Sequence, residues 1–313
     1  MRSIVGREDL RFVGFRNRWD VDDRTLRRRA FRGDMTRVRP GVFVDTRVWQ
    51  GLRPDDRHRL LVAATLDAAK RRLVVSHRSA AALLGLPTIA PYAERVDILT
   101  SADQETRSER WLRTHAVREL ELHVIERDGL LLTSVERTVV DLALTRPFDD
   151  AVVAADYALK HGVTKEGLRT VLEELQPHRG RARAERVIDF ADGRSGSAGE
   201  SKSRVCMHEL GFPKPDLQVE FTDDHGLIGF VDFYWSDYDL IGEFDGLVKY
   251  SDSLILRGRT PQQALADEKR REDRLRARAR GVVRWLNVDL YPPTGLARAL
   301  TTAGLPRSLR SAA

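Results

Sequence analysis

The chain has 313 residues, of which 42% are hydrophobic and 32% charged, with 53 Lys and Arg against 47 Asp and Glu. This length exceeds what one hydrophobic core usually organises, and the composition excludes a disordered chain. No apolar run approaches the roughly 18 residues of a membrane span, the first residues contain no apolar signal segment, and the single Cys206 excludes an internal disulfide and a cysteine-based zinc site. We therefore expect a cytoplasmic protein of two or three domains, with no membrane partner.

The positive charge is concentrated in the first fifty residues. They contain 13 arginines and 7 acidic residues, a net charge of +6, which equals the formal net charge of the whole chain. A local excess of this kind indicates an anionic partner, most simply nucleic acid. The alternative is a general richness in arginine, since the chain has 46 arginines and 7 lysines, but that does not explain why the imbalance is local.

Residues 1–51 have the pattern of two helices followed by a hairpin. Residues 21–31 begin with acids and end with bases, which complements a helix dipole. Residues 35–44 alternate apolar and polar side chains around the turn Pro40-Gly41. A short basic helix followed by a hairpin is typical of a winged helix-turn-helix, which binds DNA. The expected DNA-binding residues are Arg27, Arg28, Arg29, Arg37 and Arg39.

Residues 52–192 are predicted to form a mostly helical middle domain. Pro54 opens a helix that runs to about Arg71, and Ser76 is placed to cap the next helix. Two short segments are predicted to be strands, residues 96–99 and 120–125. His77 is a lone histidine at a helix start, which is typical of a structural or capping residue, and the middle domain shows no catalytic constellation.

Residues 192–199 are small and polar, which indicates a flexible linker, so the third predicted domain is 193–313. A helix from about residue 198 is followed by three apolar strands, a charged helix and a last strand. The predicted strands are 217–221, 229–235, 240–245 and 282–286. The expected fold class is therefore α+β or α/β and multidomain: a winged helix-turn-helix, a helical middle domain and a C-terminal α-β-β-β-α-β domain.

Three acids stand out in these apolar strands. Asp232 lies in the most apolar strand, while Glu243 and Asp245 are two residues apart on the next and so share a face. A hairpin at 236–239 would bring all three together, where like charges 4 Å apart repel by about 4 kcal/mol at an effective dielectric near 20. A cation would relieve this repulsion, and oxygen ligands suit Mg²⁺ or Mn²⁺, the ions that commonly run phosphodiester hydrolysis. The alternative is that the acids pair with nearby arginines.

The charged helix after these strands has two interpretations. Residues 257–284 hold ten bases and four acids. Such a helix could hold a phosphate backbone beside the acids. It could equally be a solvated face stabilised by pairs of charges one turn apart.

At these residues the C-terminal third resembles a restriction-endonuclease-like (PD-(D/E)XK) domain, and more narrowly the very-short-patch-repair-type endonuclease domains. The residues that carry the resemblance are Glu200, Val231-Asp232-Phe233, Ile241-Gly242-Glu243-Phe244-Asp245-Gly246, Glu268-Lys269-Arg270-Arg271-Glu272-Asp273 and Gly281-Val282-Val283-Arg284-Trp285. The resemblance implies that Asp232, Glu243 and Asp245 bind the metal and that Glu200 assists. Asp245 replaces the family's usual lysine, and Lys269 on the following helix is the candidate to take that role.

Two motifs stand out in the first two thirds, Ser76-His77-Arg78-Ser79-Ala80-Ala81-Ala82-Leu83-Leu84-Gly85-Leu86-Pro87 and Thr133-Ser134-Val135-Glu136-Arg137-Thr138-Val139-Val140-Asp141. At these motifs the first two thirds resemble the AbiEi-type antitoxins or regulators, which have an N-terminal winged helix and a helical domain. This resemblance implies a transcriptional repressor that counters a toxin partner.

The leading hypothesis is a metal-dependent DNA endonuclease. The alternative is an antitoxin or regulator whose nuclease fold is vestigial and non-catalytic.

Overall fold

The computed structural model of the chain describes residues 7–13, 23–69, 72–92, 94–102, 110–176, 179–246 and 261–308. The sequence predicts three domains, whereas the contacts group the chain into two compact units, one of residues 1–158 and 162–190 and one of residues 159–161 and 191–313. Helices and sheets occur in both, so the protein is of mixed α/β class. None of the described helices has the length and apolar character that a membrane crossing requires.

The first unit contains eight strands and eight α-helices among its described residues, and residues 159 and 160 of the sixth helix are grouped with the second unit. The strands are β1 (Arg11–Phe12), β2 (Met35–Arg39), β3 (Val42–Asp45), β4 (Val74–Val75), β5 (Val96–Ser101), β6 (Leu112–Val117), β7 (Val124–Arg127) and β8 (Leu130–Thr133). The helices are α1 (Asp23–Phe31), α2 (Thr46–Gly51), α3 (Pro54–Ala68), α4 (His77–Leu84), α5 (Val135–Thr145), α6 (Phe148–Lys160), α7 (Lys165–Leu175) and α8 (Arg181–Phe190).

The predicted N-terminal hairpin is present. Strands β2 and β3 pair antiparallel, and Gly41 takes a φ of +77° at the turn, which a glycine adopts without strain. Strand β1 pairs with β3 to complete a three-stranded sheet. Helix α1 is the one α-helix ahead of the hairpin among residues 7–13 and 23–34. The other predicted helix falls partly on residues 1–6 and 14–22, outside the described part of the chain.

The hydrophobic core of the hairpin continues into the next segment. Val38, Val42 and Val44 belong to the same buried cluster as Leu60 of α3 and Val75 of β4. Burial of apolar surface is the main force that holds such elements together. The basic N-terminal segment and the start of the middle segment therefore share one core.

The prediction of a mostly helical middle is wrong for the part that precedes α5. Strands β4 to β8 form a five-stranded sheet of order β6-β5-β4-β8-β7. Two features of the sequence hid it: β4 is only two residues long, and β6 mixes polar with apolar residues. The predicted strand 120–125 lies a few residues too early, because β7 spans Val124–Arg127. The helices α5 to α8 follow, as expected of a mostly helical middle domain.

The second unit has the predicted order of helix, three strands, helix and strand. Its elements are α9 (Ala198–Glu209), β9 (Asp216–Asp223), β10 (Gly226–Trp235), β11 (Leu240–Asp245), α10 (Pro261–Arg276), β12 (Gly281–Leu286) and α11 (Thr294–Thr302). The sheet order is β12-β11-β10-β9, and only β11 and β12 run parallel among these pairs.

The sheet of the second unit buries apolar residues in two clusters. Phe233 and Trp285 pack in one cluster with Met207 of α9 and Leu296 of α11. Ile241 of β11 packs in the other, which also includes Leu275 of α10. Because successive residues of a strand point to opposite faces, the odd-numbered residues of β11, Glu243 among them, lie on the face of Ile241.

Candidate functional site

Helix α9 brings Glu200 to the sheet. Gly199 lies so close to Phe244 of β11 that a Cβ atom there would overlap the ring. Ser197 caps the helix by accepting a hydrogen bond from the Glu200 N–H (3.2 Å), and Glu200 in return accepts from the Ser197 hydroxyl (2.9 Å) and the Gly196 N–H (2.6 Å). Glu200, which was predicted to assist catalysis, thus forms a reciprocal helix cap with Ser197. Gly196 and Ser197 belong to the segment that was predicted to be a flexible linker, and both donate to the Glu200 carboxylate.

Gln218 connects Glu200 to Asp232. Its side-chain amide donates to Glu200 Oε2 at 3.1 Å and to Asp232 Oδ1 at 3.2 Å. Gln218 lies inside β9 but has a φ of +52°, a left-handed conformation that costs a non-glycine residue of order 1–3 kcal/mol. Residues held in this way occur preferentially at functional sites. Gln218 is therefore a further residue of the candidate site, which the sequence analysis did not identify.

Asp232 lies where strands β10 and β11 part. Their pairing runs from Trp235 opposite Leu240 to Phe233 opposite Gly242 and ends there. Beyond this point Asp232 Oδ2 accepts a hydrogen bond from the Phe244 N–H at 2.9 Å. The Asp232 carboxylate thus replaces the β10 backbone carbonyl that would accept this hydrogen bond if the two strands were still paired. This contact holds Asp232 against the residue that lies between Glu243 and Asp245.

Glu243 is held by two arginines. It is 6% exposed, and its Oε1 accepts from Arg271 Nη2 at 2.7 Å while its Oε2 accepts from Arg284 Nη2 at 2.9 Å. Arg284 also donates to Glu268 Oε1 at 2.7 Å, and its Nη1 lies 3.7 Å from an oxygen of Asp245. The sequence left open whether these acids pair with nearby arginines. The structure shows this pairing for Glu243.

We call the set of charges around this carboxylate the Glu243 cluster. Its members are Glu243, Asp245, Glu268, Glu272, Arg271 and Arg284. Burial by itself would lower the pKa of Arg271, but the hydrogen bond and the charge of Glu243 raise it above the ordinary value. Burial likewise lowers the pKa of Arg284. The hydrogen bond to Glu268 and the charges of Glu243 and Asp245 outweigh burial and raise this pKa above its ordinary value. Both guanidinium groups are therefore firmly charged.

The donors fit a divalent cation in kind but are not arranged as a metal centre. Carboxylate oxygens are the ligands that Mg²⁺ and Mn²⁺ prefer. The Glu243 cluster has four carboxylates and two guanidiniums, and Arg276 pairs with Glu272 at 2.7 Å, which leaves an excess of one negative charge. Within the described residues, no three His, Cys, Asp or Glu side chains converge as metal ligands do. Cation binding by Glu243 therefore requires its oxygens to exchange partners.

Lys269 is not part of this network. It is exposed on α10, and in the described part of the chain no hydrogen bond or ion pair joins it to Asp232, Glu243 or Asp245. Its neighbour Glu268 belongs to the Glu243 cluster. The role expected of Lys269 thus needs a change of its side-chain position.

The arginines expected to bind DNA differ in exposure. Arg27 and Arg28 of α1 and Arg37 of β2 are exposed. Arg29 is half-buried and lies 3.8 Å from an oxygen of Asp45. Arg39 is also half-buried, and it donates to the backbone carbonyl of Thr65 at 3.3 Å, so its guanidinium points toward α3. The first three are the ones placed to meet a partner.

A second polar group lies buried in the first unit. His77 has a φ of +48°, and its ring stacks on that of His115 with 3.5 Å between centroids. His115 Nε2 lies 2.9 Å from Asp97 Oδ1, and His77 Nδ1 lies 3.0 Å from the Ser76 hydroxyl. Ser76 was expected to cap α4, but it makes no capping hydrogen bond through its side chain. Burial lowers the pKa of His77 well below its ordinary value, and His115 adds to this effect.

Asp141 faces the same imidazole. Its Oδ1 accepts from Arg137 Nε at 2.9 Å, whereas its Oδ2 lies 3.8 Å from His77 Nδ1 and has no hydrogen-bond partner in the described structure. Burial raises the pKa of Asp141 to about 6, against the opposing charge of Arg137. The structural role expected of His77 is consistent with this buried setting.

No family model matches the chain. It is similar to two curated proteins of Mycobacterium tuberculosis, one from strain CDC 1551 / Oshkosh and one from strain ATCC 25618 / H37Rv, each described as an uncharacterized protein and each 34% identical over 122 residues. The match covers 38% of this chain and 44% of each relative, so the chain spans less than half the length of these relatives.

Proposed function

We propose that the chain is a DNA-binding protein whose second unit hydrolyses DNA phosphodiester bonds with a divalent metal ion. The observation that carries this proposal is the hydrogen-bonded series from Glu200 through Gln218 to Asp232 and on to the Phe244 N–H. It connects one helix and three strands at the point where β10 and β11 part, and it places Asp232 next to the segment that carries Glu243 and Asp245.

In this proposal the residues of the site divide three tasks: holding the metal, orienting its ligands and acting on the attacking water. Asp232, Glu243 and Asp245 would hold Mg²⁺ or Mn²⁺, which lowers the pKa of a bound water and neutralises charge that develops on the phosphate. Gln218 orients the Asp232 carboxylate, and Glu200 orients Gln218. Lys269 remains the residue predicted to act on the attacking water or on the phosphate. The same proposal assigns residues 1–51 to a winged helix-turn-helix. This segment supplies the DNA affinity.

A second candidate function is a regulator or AbiEi-like antitoxin that uses a non-catalytic nuclease fold, with a toxin as a further partner. The observation that favours it is the pairing of Glu243 with Arg271 and Arg284, together with the exposed position of Lys269. A fold that only binds would need no free metal-binding carboxylate. Metal binding and cleavage separate the two functions.

The test of the proposed function is plasmid cleavage by the full chain with Mg²⁺ or Mn²⁺, for wild type and Asp232→Asn. We expect the variant to lose metal-dependent cleavage and the rise in melting temperature that metal gives the wild type. Asp237→Asn is the matched control, because Asp237 is exposed in the same β10–β11 hairpin, and it should behave as wild type. A wild type that neither cleaves nor changes its melting temperature in millimolar metal would support the regulator instead.

A further inference from the structure

We propose that Phe31 reads DNA sequence: at the end of α1 its ring contacts the C5-methyl group of a thymine in the major groove, while arginines on either side of it contact phosphates. This inference rests on the proposed function, which assigns the DNA affinity to residues 1–51. It adds to that function a residue that determines sequence preference.

The first support is the exposure of Phe31. Its side chain is 93% exposed, and the next most exposed large hydrophobic side chain among the described residues, Val288, is 67% exposed. The ring therefore contributes almost no buried apolar surface to the free protein. A single exposed apolar residue is ordinary on a protein surface, so its meaning depends on the side chains around it.

The second support is the division of α1 into two faces. Leu26 is fully buried and Ala30 is partly buried, in one cluster with Met35 and Phe43. At 3.6 residues per turn, the side of the helix turned away from this cluster is an arc about 100° wide. We call this arc the outer face of α1, and its residues are Arg24, Arg27, Arg28 and Phe31.

The third support is the charge of the outer face. Its three arginines are exposed, and within the described residues no side-chain hydrogen bond or ion pair joins them to another group. Arg29, which lies off this face, pairs with Asp45 at 3.8 Å. The outer face thus combines three uncompensated positive charges with one apolar ring. A partner of matching chemistry is a polyanion that also presents an apolar group.

The order of the residues around the outer face matches the major groove of DNA. Phe31 lies one turn beyond Arg27 and Arg28 and between them around the helix axis, about 40° from the first and 60° from the second. The major groove is about 12 Å wide, admits an α-helix and is bordered by phosphates on both sides. Arginines on the two flanks are placed to reach these phosphates, which directs the ring to the base edges. The apolar group that bases present there is the thymine methyl.

The experiment compares thymine with uracil in duplex DNA, because the two bases differ only in this methyl group. The full chain selects its preferred sites from a random duplex pool in a buffer with a metal chelator. The selected duplex is then made again with deoxyuridine in place of thymidine, which keeps every phosphate and every hydrogen-bonding group. We expect the wild type to bind the thymine duplex about fourfold more tightly for each methyl group contacted, and Phe31→Ala to bind both duplexes equally, as measured by fluorescence anisotropy.

Two further measurements and a control variant accompany this comparison. Phe31→Ala should keep the wild-type slope of log affinity against log salt, because no phosphate contact is lost. It should also keep the wild-type stability in urea, because the ring is almost wholly exposed. Leu227→Ala is the matched control: it removes a 56% exposed apolar side chain of β10, and it should keep the preference for thymine.

The outcomes separate this inference from the proposed function. A selection that enriches no thymine, equal affinity of the wild type for the two duplexes, or a thymine preference that Phe31→Ala retains overturns the inference and leaves the DNA-binding role standing. A ring that serves only to bind single-stranded DNA by stacking on unpaired bases also overturns it. So does a clear loss of stability in Phe31→Ala, because the ring would then pack within the chain. A wild type that binds no duplex overturns the DNA-binding part of the proposed function together with this inference.

Discussion

Gln218 connects two carboxylates of the candidate site, those of Glu200 and Asp232. It is the shared donor for two carboxylates, and it keeps a left-handed backbone inside a strand. Gln218→Leu should lower the free energy of unfolding by roughly 1–3 kcal/mol, because the carboxylates of Glu200 and Asp232 each lose one hydrogen bond, although Glu200 Oε2 keeps that from the Gly196 N–H. Cleavage should fall more than DNA affinity, since the Asp232 carboxylate is no longer oriented.

Urea denaturation and plasmid cleavage measure these two effects. Glu220→Gln, at an exposed position of the same strand, is the control and should change neither. Wild-type stability and cleavage in Gln218→Leu would mean that the two hydrogen bonds do not organise the site.

The lowered pKa of the buried His77 makes the free energy of unfolding depend on pH. Its folded-state pKa is lowered. Below the unfolded value of about 6.5 the imidazole therefore binds a proton in the unfolded chain but stays neutral in the folded chain. The stabilising contribution is fully present above about pH 6.5 and decreases as the pH falls, by up to about 1.4 kcal/mol per unit. Asp141 acts in the opposite direction, because its raised pKa of about 6 favours the folded state as the pH falls.

His77→Gln should therefore remove about one proton from the slope of stability against pH between roughly pH 5 and 6.5. Denaturation in urea at a series of pH values measures this slope. The groups that act on His77 electrostatically are His115, Asp97, Arg137 and Arg113, with Asp141 at 3.8 Å. His225→Gln, an exposed position in the second unit, serves as control. A slope unchanged by His77→Gln would contradict the assignment of a neutral, buried imidazole.

At the scale of elements, the proposed DNA binding is assigned to α1 and the hairpin after it. Arg27 and Arg28 are exposed on α1, and each phosphate contact contributes about −0.9 to the slope of log affinity against log salt. Replacing both by alanine should therefore flatten this slope by up to about two units. Fluorescence anisotropy of a labelled duplex across a salt series measures it.

Two other variants test whether the effect belongs to α1. Arg39→Ala should lower stability rather than the salt slope, because Arg39 donates to the Thr65 carbonyl. Arg181→Ala removes an exposed arginine of α8, which pairs with Glu185, and should leave the slope unchanged. A double variant of Arg27 and Arg28 that keeps the wild-type slope would move the DNA-binding role to the base-rich helix α10.

At the scale of the whole molecule, the sequence predicted elements well where the pattern was local and strong. The apolar strands of the second unit and the hairpin at Pro40-Gly41 have clear periods and turn residues, so their order could be derived. The sheet of the middle segment could not, because β4 has only two residues and its neighbours are distant in sequence, at β5 and β8. A short buried strand has no period of its own to detect.

The sequence by itself determined which acids lie in apolar strands and which of them share a face, because alternation along a strand is a local property. Only the tertiary structure decided what each acid contacts. Arg271 and Arg284 reach Glu243 from 28 and 41 residues away, and Gln218 meets Asp232 across a strand pair whose register skips it. These partners depend on strand pairing and helix packing over long distances in the chain, which spacing along the sequence does not encode.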